Sequence, residues 1–253
     1  MLLAKKNAVV YGGAGAIGSV VARAFAREGA RVHLAGRTLE SVEAVAQSIR
    51  DEGGAAEAAR VDALDERSVD EHAVMVAATA GSLDISMNLI DVGDVQGTPL
   101  VDMSLGDFEH PIITALRTNF LTSRAAARQM IRQRSGVILT FGGDGGHQPI
   151  RDYNIGGFQI SLVTVDSLRR QLAAELGQHH IRVVAIHTGG LLETVPKDFA
   201  GSQEIVDLIV GPTMLKRAAT FEDLGNVVTF AASDRAASMT GTSFNITCGA
   251  VAD

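Results

Sequence analysis

Near the start of the chain an apolar run at 7–11 passes directly into Gly12-Gly13-Ala14-Gly15-Ala16-Ile17-Gly18, and from there into an amphipathic stretch that Gly29 stops. A buried strand, a glycine-rich turn, a helix over 16–28 and a second apolar run at 31–35 make one βαβ unit. Glycines permit a tight turn and let backbone N–H groups approach a diphosphate at the helix start. A glycine-rich turn alone is weak support. Its place between a strand and a helix favours phosphate binding over a mere turn, and makes Gly12, Ala14, Gly15, Ile17 and Gly18 candidate contacts.

The same rhythm continues. Thr38 is placed to cap a helix reaching about residue 50, which Gly53-Gly54 ends. Further strands are expected near 58–61, 83–90, 136–141, 182–187 and 243–247, separated by helical patterns. No repeat or proline-rich linker divides the 253 residues. The alternation predicts one α/β domain over 1–253, a Rossmann fold with a doubly wound parallel sheet of about seven strands and helices on both faces. The segment 191–216 carries Pro196, Gly201, Gly211 and Pro212 with weak periodicity. It follows the C-terminal end of a strand, where ligands bind in open α/β sheets, and is the expected substrate loop.

Composition narrows the partners. The net charge is −7, from 29 acids and 22 bases with no basic run, which argues against nucleic acid or an anionic membrane as partner. One cysteine, Cys248, excludes an intramolecular disulfide and a thiolate zinc site, and is expected to pack as a small hydrophobe. No metal site is expected. No apolar stretch reaches 18 residues and the first residues lack the apolar region of a signal peptide, so a cytoplasmic protein with a small-molecule substrate is expected.

Taken over nearly its whole length, the chain resembles the short-chain dehydrogenase/reductase family, whose first turn usually reads T-G-x-x-x-G-x-G. Tyr11 replaces the threonine and Ala16 the middle glycine, a residue small enough to keep the helix close to the sheet. The resemblance extends to Asp62-Ala63, where the family contacts the adenine, and to Asn88, the first residue of the family's N-N-A-G, which here reads Asn88-Leu89-Ile90-Asp91. It also covers Asn119 on the central helix, Leu172-Ala173-Ala174-Glu175-Leu176, and the ending from Gly241-Thr242 to Cys248-Gly249. It implies a nicotinamide cofactor, with Gly189 and Thr194 beside the nicotinamide and a homo-oligomer, dimer or tetramer, formed through the helix around 163–176. NAD-preferring members of such folds carry an acid after the second strand; Gly36-Arg37-Thr38 stands there instead, and Arg37 suits the 2′-phosphate of NADP(H).

The family's chemistry uses a tyrosine as general acid/base, with a lysine four residues later. Aligned on Leu172-Ala173, those positions fall on Phe158 and Leu162, neither of which ionises. The only tyrosines are Tyr11 and Tyr153, followed four residues on by Gly15 and Gly157, and no lysine lies between Lys6 and Lys197. The family's serine should follow the fifth strand, where the chain reads Gly142-Gly143-Asp144-Gly145-Gly146-His147. Asn119 remains, either in a proton relay or as a structural bridge in a bent helix. Replacement acids are offered by His147 first, then Asp144 and Tyr153, with His187 at the end of the sixth strand able to touch substrate or to be satisfied in place.

Three functions are therefore open. One is an NADP(H)-dependent oxidoreductase of a small carbonyl or alcohol with a non-standard proton donor. The second is a non-redox enzyme, such as a cyclase, dehydratase or isomerase, on the same scaffold. The third is a catalytically inactive NADP(H)-binding or regulatory protein.

Overall fold

The computed structural model describes residues 1–143, 153–195 and 202–252. Seven strands, β1 (Asn7–Tyr11), β2 (Arg31–Gly36), β3 (Ala55–Arg60), β4 (Ile85–Asn88), β5 (Gly136–Gly142), β6 (Ile181–Thr188) and β7 (Ser243–Ile246), make one sheet in the order β3-β2-β1-β4-β5-β6-β7. Every pairing is parallel. The helices are α1 (Ala16–Arg27), α2 (Leu39–Asp51), α3 (Glu66–Ala80), α4 (Leu105–Gln133), α5 (Gly157–Leu176), α6 (Ser202–Val210) and α7 (Phe221–Ala232). The chain winds outward from β1 to β3, then restarts on the other side of β1 at β4. That reversal opens a crevice at the C-terminal ends of β1 and β4.

All five residues of β1 are buried, because helices cover both faces of the sheet and leave no strand side for water. On one face Val10, Leu34, Val184 and Ile186 pack with Val21 and Phe25 of α1, Val42 of α2 and Leu224 and Val228 of α7. On the other, Val9, Tyr11, Ile138 and Val183 meet Val69 and Val76 of α3 and Leu121 and Met130 of α4. α5 lies beside α4 at very short range: a Cβ on Gly157 would fall 1.9 Å from the Phe108 carbonyl oxygen. Pro111, inside α4, faces the same spot, 3.1 Å from that Cβ position. Glycine at 157 thus sets how deeply the first turn of α5 sits.

The expected seven-stranded doubly wound sheet is what forms, with different boundaries. β4 is shorter than 83–90 because polar side chains take over at both ends. Asp84 Oδ2 accepts from the Asn7 N–H at 2.8 Å, and Asn88 Oδ1 accepts from the Ile90 N–H at 2.9 Å and turns the chain. β3 begins at Ala55, ahead of the expected 58, because pairing to β2 outweighs the weak strand propensity of Ala-Ala-Glu-Ala-Ala-Arg. Thr38 precedes α2, yet its side chain makes no capping hydrogen bond. The segment 191–216 is not loop throughout. It contains α6, whose Ile209 packs on Gly190, where a Cβ would lie 2.5 Å from Ile209 Cδ1. Cys248 is half-buried, with φ of 57°, and packs on the edge of the α1/α7 core. Among the described residues no helix is long and apolar enough to cross a membrane.

Candidate active site

The turn after β1 is fixed by backbone bonds. The N–H groups of Gly12 and Gly13 donate to the Ala35 carbonyl at 2.9 and 3.3 Å, and the Gly15 N–H donates to Gly12 at 3.0 Å. Gly12 has φ of 76°, and a Cβ there would stand 2.3 Å from the Leu89 oxygen; one on Gly18 would stand 2.1 Å from the Gly12 oxygen. Helix α1 starts without a side-chain cap and without an acid in its first turn, and Ala14, Gly15 and Ala16 are exposed. The N–H groups of Ala16, Ile17 and Gly18 have no carbonyl four residues back within the helix, and the dipole of α1 favours an anion there. Ala16, being exposed, does not stand between helix and sheet. This bare, positive helix start fits a pyrophosphate.

Arg37, exposed at the end of β2, makes no hydrogen bond or ion pair among the described residues, so its guanidinium is available. At the end of β3, Asp62 is exposed and its Oδ1 accepts from the Leu64 N–H at 3.0 Å, while Ala63 is buried. Asn88 is buried and works as a bracket: its Nδ2 donates to Thr122 Oγ1 of α4 at 3.2 Å. Gly189 borders open space, with no atom within 4 Å of where a Cβ would be. The Thr194 hydroxyl donates to the Leu191 carbonyl at 2.7 Å, within a single turn at Leu192–Thr194, and Glu193 Oε1 accepts from the Phe221 N–H at 2.9 Å.

Phe158, Leu162 and Asp166 follow one another at four-residue spacing on one side of α5. Leu162 lies over the end of β5, where a Cβ on Gly142 would be 2.8 Å from its Cδ2 and one on Gly143 3.4 Å from its Cδ1. Asn119 is buried and its Nδ2 donates to the Ala115 carbonyl at 2.9 Å, one turn back in α4. Tyr153 is exposed. Asp144 and His147 lie outside the described residues.

A charged group beneath this surface escaped the sequence reading. Asp166 accepts from Arg169 Nε at 2.7 Å, Arg170 Nη1 lies 3.0 Å from its Oδ2, and His187 Nε2 of β6 lies 3.7 Å from its Oδ1. The imidazole of His187 facing it, and then the guanidinium groups of Arg169 and Arg170, hold the Asp166 carboxyl well below the usual carboxylate range. Arg169 is buried and also donates to the Thr242 carbonyl at 3.3 Å. An acid followed at three and four residues by arginines within an otherwise apolar helix was the available signal.

A second polar group is buried under the glycine-rich turn. The rings of Tyr11 and His72 meet edge to face with centroids 5.9 Å apart, and His33 Nδ1 lies 3.5 Å from Glu57 Oε2. The Tyr11 hydroxyl, His33 Nε2 and both nitrogens of His72 have no hydrogen-bond partner among the described residues. Burial pushes the Tyr11 phenol above its ordinary range, with Asp70 adding to it, and lowers His33. Burial, with the neighbouring His33, takes His72 down to about 4.

Known proteins share this fold. Residues 12–250 match a family described as Enoyl-(Acyl carrier protein) reductase. The chain is 30% identical over 244 residues to galactitol 2-dehydrogenase of Rhizobium johnstonii, covering 96% of this chain and 94% of that one. It is 27% identical over 246 residues to 7alpha-hydroxysteroid dehydrogenase of Escherichia coli, covering 97% and 94%. The crystal structure of a short-chain type dehydrogenase/reductase from Mycobacterium marinum superposes with a TM-score of 0.87 at 28% identity, over 99% of this chain and 97% of that one. With a family model matched over residues 12–250 and a superposition that spans nearly the whole chain, the chain belongs to the short-chain dehydrogenase/reductase family of nicotinamide-dependent oxidoreductases.

Proposed function

We propose that the protein is an NADP(H)-dependent oxidoreductase of small alcohols and carbonyls whose proton donor is not the family's tyrosine. The observation that carries the cofactor choice is Arg37, an exposed guanidinium without a partner among the described residues, at the strand end where an acid would select the unphosphorylated ribose. A planar, always charged guanidinium gives a phosphate a charge-assisted, bidentate contact. Gly12, Ala14, Gly15, Ile17 and Gly18 would hold the pyrophosphate, Asp62 and Ala63 the adenine, and Asn88, Gly189 and Thr194 the nicotinamide half. When bound, the nicotinamide supplies or accepts the hydride. The chain's own task is to orient the substrate and move one proton. Phe158 and Leu162 occupy the tyrosine and lysine positions, so that proton needs another group, sought among His147, Asp144 and Tyr153 and at the neighbouring strand end. Asn119, whose amide is bonded within its own helix, acts as a structural bridge in this reading.

Titration calorimetry with NADPH, NADP and NADH, followed by an absorbance screen with galactitol, D-threitol and a 7α-hydroxysteroid, tests the proposal. Micromolar binding that requires the 2′-phosphate, with reduction of NADP by one of these alcohols, is expected. Substrate conversion without a nicotinamide absorbance change would favour a cyclase, dehydratase or isomerase, and binding without turnover a regulatory protein. Arg37→Ala is expected to weaken NADPH about 10- to 30-fold and NADH less than about twofold, the loss of one exposed charge-assisted contact. Equal weakening of both nucleotides would reject the assignment. We also propose a dimer or tetramer formed through α4 and α5, where Ile113, Leu116, Phe120, Ile160 and Val163 are exposed apolar side chains.

A further inference from the structure

We propose that the acid–base group of this site is His187, held in place by Asp166. The inference rests on the oxidoreductase reading and names the residue that does its proton chemistry.

Three observations bring His187 to the position. First, the register pairs Gly142 of β5 directly with His187 of β6, so the imidazole is the strand neighbour of the residue over which Leu162 lies. Second, alternation along β6 puts Val183 and His187 on the face that α5 covers, the face of Phe158 and Leu162. Third, His187 stands one residue before the end of β6, at the sheet edge where ligands collect, and its side chain is 14% exposed rather than sealed.

The surroundings resemble those of a histidine set for proton transfer. A catalytic imidazole works when one ring nitrogen is tied to an orienting group and the other is free. His187 Nε2 lies 3.7 Å from Asp166 Oδ1, an ion-pair distance that becomes a tie when the ring is protonated, and Nδ1 makes no hydrogen bond among the described residues. Asp166 is in turn gripped by Arg169 Nε at 2.7 Å, and Arg169 is anchored to the Thr242 carbonyl. The charged groups around the imidazole from α5 are Asp166, Arg169 and Arg170, while its strand neighbours Gly142 and Asn245 carry no charge. A purely structural ion pair between Asp166 and Arg169 would not require a histidine on the third side.

In alcohol oxidation the substrate O–H bond breaks and its proton passes to His187 Nδ1. A nicotinamide held by the glycine-rich turn would supply the acceptor for the C–H electron pair, as hydride, while the carbon–oxygen double bond forms. In the reverse direction the imidazolium would return the proton to the carbonyl oxygen as the same group supplied hydride to carbon. Asp166 is a positioning residue: it keeps the proton of the neutral ring on Nε2 and balances the charge of the protonated one.

The test uses the full chain. Long-range proton–nitrogen NMR is expected to give neutral His187 as the Nε2–H tautomer, and Asp166→Asn to weaken that preference. With whichever of galactitol, D-threitol and the 7α-hydroxysteroid the parent oxidises fastest, His187→Gln should lower kcat at least about 100-fold. Its NADPH affinity should stay within about twofold, since only the transition state loses a partner. Asp166→Asn should lower kcat about tenfold and displace the acid limb of the pH profile, with Asp166→Glu restoring most of it. If His187→Gln fails to fold, His187→Asn and Asp166→Asn provide the same readings. An Nδ1–H tautomer, or a His187→Gln enzyme within about threefold of the parent while His147→Ala is inactive, overturns the role of His187 and leaves the oxidoreductase standing. A parent that neither binds NADPH nor reduces NADP overturns both.

Discussion

Between pH 6.5 and 4 the protein is expected to lose about 3 kcal/mol of stability through His72 alone. In the unfolded chain this imidazole titrates near its ordinary value of about 6.5, while in the fold burial holds it to about 4. Well above 6.5 neither state is protonated and nothing is lost. As the pH falls from there, the unfolded chain binds a proton that the fold refuses, so unfolding is favoured progressively until the folded imidazole also titrates. His33, lowered in the same direction, adds to the fall, whereas the depressed Asp166 costs stability only below the ordinary carboxylate range. Urea unfolding at pH 7, 5.5 and 4.5 measures the effect. His72→Leu should flatten the curve and leave stability at pH 7 unchanged or higher, because both buried ring nitrogens lack partners. A parent whose stability is level from pH 7 to 4.5 would show that the cluster is hydrated.

Gly18→Ala is expected to be comparably damaging, for a steric reason. Its new methyl would lie 2.1 Å from the carbonyl oxygen of Gly12, and both partners are backbone, so neither can swing aside. The turn must open or α1 must move off the sheet, at about 3 kcal/mol by analogy with overpacked cores. Nucleotide affinity should fall more than about tenfold with it, since the displaced N–H groups are those proposed to meet the pyrophosphate. Gly177→Ala is the control: nothing lies within 4 Å of that Cβ position and the backbone is already helical, so stability should change by less than about 0.5 kcal/mol. Thermal unfolding with and without NADPH reads both variants, and a Gly18→Ala protein that binds like the parent would reject this account of the turn.

The parts of this molecule that were legible in the sequence are those governed by short-range rules. The alternation of apolar runs with amphipathic stretches yields the seven strands, and the glycine-rich turn falls between β1 and α1, where its spacing places it. What was missed depends on contacts between distant segments. β3 owes its extent to pairing with β2, not to its alanines. α6 was hidden by flanking prolines and glycines although Ile205, Val206, Leu208 and Ile209 are in its sequence. Asp166 and His187 are 21 positions apart in sequence and meet only because α5 folds back over β6. The buried pair of His33 and His72 likewise needs α3 laid across β2 before its nitrogens become enclosed.

The plain start of α1 has a consequence for the protein as a whole. Most helices close their first turn with a side chain of their own, a contribution of about 1 kcal/mol, and α3, α4 and α7 do so here through Asp65, Ser104 and Thr220. α1 does not. Where a nucleotide settles on that helix as proposed, a portion of the fold's stability would arrive from outside the polypeptide, and heat resistance would become a gauge of nucleotide supply.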